Sequence, residues 1–262
     1  MGFWTGSMGD FERLIREATE APFSGWDFSA IAIRWRQGHP PWNYNARVRN
    51  RIAKADSLLD LGTGGGERLS SLQPLSPTTF ATEGYRPNLR IARRRLRPLG
   101  VQVIPVGTDL RPQIPDTSGD LVTSHHKDFN ATEVYRVLRP GGQFITQHVG
   151  IRNYHEINDR FGVAPEPPTN DVTGARALAA EIAVAGFRIL TKKESHYPEY
   201  FRDVGALVYY LRAAPWQVPS FSPDRSQRPL RGIHREIQSH GRFRVTAYRL
   251  LVIAERIRWT RS

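Results

Sequence analysis

The stretch Ser57-Leu58-Leu59-Asp60-Leu61-Gly62-Thr63-Gly64-Gly65-Gly66-Glu67 decides how this chain folds. An apolar run ends in an acid, a glycine-dense turn follows, and Glu67 to Gln73 reads as the start of a helix. That order describes a buried parallel strand feeding a tight loop with a helix N-terminus behind it. Glycines at 62, 64 and 66 let the backbone turn sharply and leave room for a ligand against bare main chain.

A dinucleotide loop requires G-x-G-x-x-G, with a third glycine where the helix packs on the strand and a pyrophosphate at the helix N-terminus. Counted from Gly62 that third position is Glu67, and counted from Gly64 it is Leu69. A carboxylate there repels a pyrophosphate. The pattern that remains is Asp-x-Gly-x-Gly-x-Gly.

Outward from this loop the elements arrive in alternation. Thr78 to Thr82 forms a second strand ending at Glu83-Gly84-Tyr85, and Pro87 opens a helix over 87–97. A third strand, Val101 to Val106, leads to Gly107-Thr108-Asp109-Leu110. A fourth, Asp120 to Ser124, ends at His125-His126-Lys127-Asp128. A helix over 131–138 then runs into Leu138-Arg139-Pro140-Gly141-Gly142 and a fifth strand, Gln143 to Gln147. Phe187 to Leu190 reads as the sixth strand and Phe243 to Ala254 as the seventh. Helices are expected over 10–20, from about Asn45 to Ala55, and over 173–185, 203–214 and 224–239.

The Asp60 loop resembles motif I of the class I S-adenosyl-L-methionine (SAM)-dependent methyltransferases. The acid Glu83, the strand at Asp120 and the Leu-Arg-Pro-Gly-Gly turn fall where that family has its acid, fourth strand and "L-K/R-P-G-G" turn. The resemblance covers roughly residues 45–195. It implies an α/β, Rossmann-like fold with a mixed seven-stranded sheet and helices on both faces. It also implies SAM as cofactor, touched by Asp60, Gly62, Thr63, Gly64, Gly66, Glu83, Gly84 and Ser124. Glu83 is expected to hold the ribose hydroxyls, and Asp109 or Thr108 to reach the adenine amino group, with Leu110 beside them in the cofactor site. No Asn- or Asp-Pro-Pro-Tyr tetrapeptide follows the fourth strand, which argues against methylation of base amino groups or of glutamine.

The domain expected from these elements is 45–262, with insertions at about 151–172 and 196–240, preceded by an N-terminal helix and lid segment over 1–44. That segment is aromatic and turn-rich, running through Trp26, Phe28, Trp35 and Trp42-Asn43-Tyr44. It either covers a pocket or seals one edge of the sheet. As a cover, it brings Trp42 and Tyr44 nearest the ligand, with Tyr154 and His155 of the first insertion on the substrate side. Methyl transfer to a hydroxyl or ammonium needs a base, for which His125 and His126 are candidates because imidazole titrates near operating pH. Neighbours at a strand end point in opposite directions, so one of the two is expected to reach the pocket. An equal reading has them orient a loop. Asp128, His148 and His155 are weaker candidates, and no spacing among the histidines compels a metal site.

Composition narrows the function classes. The chain of 262 residues contains no Cys, which excludes disulfides, thiolate metal sites and cysteine nucleophiles, and agrees with a reducing cytoplasm. No leader-like start and no membrane-spanning run is evident, so a cytoplasmic protein is expected. The net charge of +12 invites a nucleic-acid partner. Only Lys54, Lys127, Lys192 and Lys193 of the 37 basic residues are lysine, so 33 are arginine, and they are spread along the chain. The favoured acceptor is a small molecule, including a secondary metabolite, methylated on oxygen or nitrogen. The alternatives are an rRNA or tRNA methyltransferase and a catalytically silent SAM-binding protein.

Overall fold

The computed structural model describes residues 9–24, 26–106 and 114–257. Phe11, Leu14, Ile15 and Ala18 recur at helical spacing and form the buried face of α1 (Asp10–Glu20). The aromatic segment then makes a two-residue strand, β1 (Trp35–Arg36). Helix α2 (Tyr44–Ile52) starts where the Asn43 side chain accepts the Ala46 N–H, an N-cap that fixes the entry angle.

From there strands and helices alternate: β2 (Ser57–Leu61), α3 (Glu67–Ser70), β3 (Thr78–Glu83), α4 (Arg86–Leu96), β4 (Gln102–Pro105), β5 (Gly119–His125), α5 (Ala131–Val137) and β6 (Leu138–Val149). The remaining elements are α6 (His155–Phe161), α7 (Ala175–Val184), β7 (Phe187–Phe201), α8 (Val204–Ala213), α9 (Gln227–His240) and β8 (Phe243–Arg256).

These strands form one sheet in the order β1-β7-β8-β6-β5-β2-β3-β4. β4, β3, β2, β5 and β6 pair in parallel, while β8 runs antiparallel to β6 and β7. The chain winds outward in both directions from β2 and β5, so the switch point lies between them, where open α/β sheets bind ligands. The sheet has eight strands rather than the expected seven. The extra one is β1, which pairs Trp35 with Phe201 and Arg36 with Tyr200 at the edge.

The apolar run of β2 is explained by burial on both faces. Leu58 packs with Val48, Ile52, Leu121 and Leu251, whereas Leu59 packs with Val122, Val134, Phe144 and Val252. Each fully buried leucine contributes about 2 kcal/mol of transfer free energy. A third apolar cluster lies on the β8 side, where α1, α8 and α9 cover Phe201, Phe243, Val245 and Ala247.

β7 is also longer than expected. It continues past Leu190 to Phe201, paired throughout with β8, so the chain leaves the sheet at Phe201 rather than near residue 196. β6 ends at Val149 opposite Arg249, so the outer parts of β7 and β8 project beyond the carboxyl ends of the parallel strands. Pro198, which cannot donate to a ladder, is tolerated this close to the sheet edge. Among the described residues no helix is long and apolar enough to cross a membrane.

Candidate functional site

The glycine loop is tied to the end of the neighbouring strand by its backbone. Thr63 N–H donates to the Thr82 carbonyl at 2.8 Å, and Gly62 N–H to Thr82 Oγ1 at 3.0 Å. Gly64 N–H donates to Glu83 Oε2 at 2.7 Å, and Tyr85 N–H to Glu83 Oε1 at 2.6 Å. The buried Glu83 carboxylate therefore clamps the loop while each of its oxygens keeps a second lone pair. Gly64 has φ +65°, and a Cβ there would lie 2.6 Å from Trp26 Cδ1, so only glycine serves. Asp60 is buried under the loop. Burial pushes its carboxyl pKa up, against the hydrogen bond from Thr123, the nearby Thr63 hydroxyl and the charge of Arg68. Thr123 Oγ1 donates to Asp60 Oδ1 at 2.7 Å. Thr63 Oγ1 lies near that carboxylate but has no well-formed hydrogen bond, a buried hydroxyl left without a partner.

One strand over, Ser124 is buried, and its hydroxyl donates to the Lys127 carbonyl at 2.8 Å. His125 and His126 stack with ring centroids 3.8 Å apart. This corrects the expectation that the two point apart. The strand ends at His125, and His126 adopts a left-handed backbone (φ 58°) that swings its ring back to the same side. Gln147 on β6 joins them. Trp42 Nε1 only donates and does so to Gln147 Oε1 at 2.8 Å, which fixes the amide orientation. Gln147 Nε2 then faces His125 Nε2 at 3.0 Å and His126 Nε2 at 3.3 Å, so both imidazoles are neutral with the proton on Nδ1. Burial lowers both pKa values well below the usual histidine range, helped at His125 by Arg68 and Arg249, and at His126 by His125 and Arg249. His126 is solvent-accessible.

The remaining residues singled out in the sequence fall elsewhere. Trp42 and Tyr44 are buried against the Gln147–His125 cluster. The Tyr44 hydroxyl donates to the Ser124 carbonyl at 3.3 Å and its ring lies 4.9 Å from His125, because the N-terminus of α2 packs under the strand ends. Trp26 lies against Gly64, 5.6 Å from the Trp216 ring. The Lys127 side chain crosses Gly62. Tyr154 is buried in the α8–α9 layer and donates to Glu199. His155 lies at the start of α6, its Nδ1 3.3 Å from the Arg152 carbonyl. His148 accepts the Val149 N–H on Nδ1 at 3.0 Å and so donates from Nε2 to Asp128 at 3.1 Å, which uses both nitrogens structurally. Burial acts to raise the Asp128 pKa, but the bonds from His148 and Thr169 prevail and hold it down at about 2. Gly84 is exposed beyond β3. Thr108, Asp109 and Leu110 lie outside the described residues.

Gln147 and Arg249 were not singled out, yet Arg249 is a charge set within the largely apolar run Ala247 to Ala254, which is a readable signal. Trp26 carries no such signal among so many aromatics. An open groove of about 690 Å³ runs along the outer side of the aromatic segment, between Trp26, Phe28, Trp35, His39 and Arg202. No residue of the glycine loop lines it, so the chemistry is placed at the strand ends rather than there.

A switch point, a clamped glycine loop and an acid ending the adjacent strand define the class I methyltransferase architecture. Residues 59–146 match the family model described as a methyltransferase domain, so the chain carries such a domain, and the class read from its motifs is borne out. A candidate methyltransferase from Bacillus halodurans C-125 superposes with a TM-score of 0.59 at 17% identity, over 82% of this chain and 99% of that one. The YcgJ protein of Bacillus subtilis gives 0.55 at 14% identity, over 82% and 98%. A functionally unknown protein from Deinococcus radiodurans R1 gives 0.55 at 12% identity, over 85% and 90%. At these identities the likeness concerns the fold.

Proposed function

We propose that the protein transfers the methyl group of SAM to an oxygen or nitrogen of a small-molecule acceptor. The observation that carries this reading is the Gly64–Glu83 clamp beside the His125–His126–Gln147 cluster, at the switch point of the sheet. The residues fit the cofactor: a glycine loop whose only covers at Gly62 and Gly64 are the Lys127 and Trp26 side chains, the partnerless Thr63 hydroxyl, and a buried carboxylate with lone pairs to spare. SAM supplies an activated methyl on a sulfonium, so the protein's task is mainly to bind, orient and exclude water.

In this reading the loop backbone and Thr63 hold the amino-acid end, and Glu83 takes the ribose hydroxyls. Trp26 and Trp216 keep water from the cleft. His126 serves as the base. Its ring is neutral, and its bond to Gln147 is the longer of the two, so an acceptor hydroxyl displaces Gln147 from His126 more readily than from His125. His125 stays bound to Gln147 and holds its neighbour in place.

SAM binding by calorimetry, repeated with total RNA at low and high salt, tests the proposal. SAM binding without RNA retention supports it. Salt-sensitive RNA retention transfers the activity to an RNA substrate, for which Arg90, Arg93 and Arg94 on the exposed side of α4, with Arg97 just past its end, are the contact surface. Failure to bind SAM leaves a catalytically silent fold.

A further inference from the structure

Arg249 occupies an unusual position for a guanidinium. It lies inside β8, opposite Val149 of β6 and Ser195 of β7, where the long β7–β8 ladder passes the end of the parallel strands. Two residues along β8, Leu251 pairs with Gln147, so Arg249 shares a sheet face with Gln147 and His125. Its charge is felt by both histidines.

One side of this guanidinium is anchored. Nη1 donates to Asn153 Oδ1 at 2.5 Å and to the Tyr248 carbonyl at 3.1 Å. Asn153 is buried and is itself fixed by the Tyr248 N–H at 3.0 Å. The Tyr197 ring supports the group at 5.9 Å from its centroid. The other side is open. Among the described residues neither Nε nor Nη2 has a hydrogen-bond partner, and neither is among the buried polar atoms left unsatisfied, so both face accessible space.

No carboxylate among the described residues lies within 4.0 Å of Arg249. The acid whose charge reaches it is Glu199, which is 2% exposed and takes its hydrogen bond from the Tyr154 hydroxyl. A half-buried guanidinium without an ion-pair partner is costly to keep. Nε–H and Nη2–H point side by side, the two-pronged geometry that matches a carboxylate.

Resting on the methyl-transfer reading, we propose that Arg249 recognises a carboxylate on the acceptor through Nε and Nη2, presenting the acceptor to His126. Asn153 and Tyr197 are positioning residues that keep the fork aimed into the cleft. The acceptor class is thereby narrowed to small carboxylic acids that also carry a hydroxyl or amine.

Matched probes test this on the full-length protein by calorimetry: benzoate and phenylacetate against benzamide and phenylacetamide, with and without saturating S-adenosylhomocysteine. The carboxylates are expected to bind at least tenfold more tightly than their amides. Arg249→Gln should abolish that preference and leave the SAM dissociation constant within twofold of wild type. Equal binding of acids and amides, or no measurable binding of either acid, overturns the proposal, as does a preference that survives in Arg249→Gln. Loss of SAM binding in Arg249→Gln also overturns it, because the fork would then serve the cofactor's own carboxylate. Should Arg249→Gln fail to fold, Arg249→Lys decides, since a point charge lacking the fork must lose most of the preference. A wild type that binds no SAM sinks the methyl-transfer reading instead, and the cofactor-free titrations still judge Arg249.

Discussion

Replacing Glu83 by alanine separates the two tasks this carboxylate is given. In the structure it accepts backbone N–H groups from Gly64 and Tyr85 at 2.7 and 2.6 Å, which holds the loop in shape. Its remaining lone pairs are the proposed ribose acceptors. A hydrogen bond to a charged group is worth about 1.5–3 kcal/mol, so two ribose hydroxyls supply roughly 3–5 kcal/mol. At 1.4 kcal/mol per factor of ten, Glu83→Ala should weaken SAM binding by roughly a hundredfold or more. The untethered N–H groups cost about 1–3 kcal/mol of stability besides, since that of exposed Tyr85 is rehydrated but that of buried Gly64 is left without a partner. Calorimetric titration with SAM, alongside urea unfolding of the same preparation, reads both quantities. Glu83→Gln keeps one acceptor oxygen and should fall between the two. If Glu83→Ala lowers stability while the dissociation constant stays within threefold of wild type, Glu83 only braces the loop and the ribose assignment is wrong.

Three other substitutions and one pH effect follow from the same geometry. Gly64→Ala should lose SAM binding and about 1–2 kcal/mol of stability, since the new Cβ meets both a left-handed backbone and the Trp26 ring; urea unfolding and calorimetry check it. Trp26 lies on the loop, so SAM should change the intrinsic tryptophan fluorescence, and Trp26→Phe should remove most of that change. Tyr154→Phe strips the buried Glu199 of its donor and should cost about 1–3 kcal/mol in urea unfolding. The folded-state pKa values of His125 and His126 lie below those of the unfolded chain. The unfolded state therefore takes up protons first, and stability falls as pH drops from about 6.5 toward the folded pKa. One proton difference gives a slope of up to about 1.4 kcal/mol per pH unit for His125, less for the accessible and better screened His126. His125→Asn should flatten the slope, and an unchanged slope would count against the buried neutral ring.

The frame of the molecule was legible because local signals agreed with one another. Leu58 and Leu59, the glycines after them, and Glu83 at the next strand end all specify one parallel unit, and each sits where its spacing requires. The cofactor side is written in backbone geometry, which glycine announces. The acceptor side is written in side-chain contacts, and these depend on parts of the chain far apart in sequence. Nothing local to His126 reveals its left-handed backbone, so the stacked pair was not foreseen. Tyr197-Pro198 reads as a break, yet β7 runs through it because β8 lies alongside to pair with. Trp26 and Trp42 are alike as sequence. Which one meets the loop is settled by where α2 anchors Trp42 to Gln147.

β1 joins residues 35–36 to residues 200–201, and α1 docks in the same region, with Arg231 of α9 bonded to Glu12 and Arg212 of α8 to the Ala18 carbonyl. During synthesis the segment over residues 10–36 emerges before these late elements and has nowhere to settle until they have left the ribosome. The aromatic residues around Trp35 must wait, exposed, while the parallel strands assemble. The cover over the glycine loop is thus made before the elements it docks on, and such long-range closure slows folding. A chaperone that shields Phe23 to Trp35 in the interim would raise the yield of folded protein without altering its final stability.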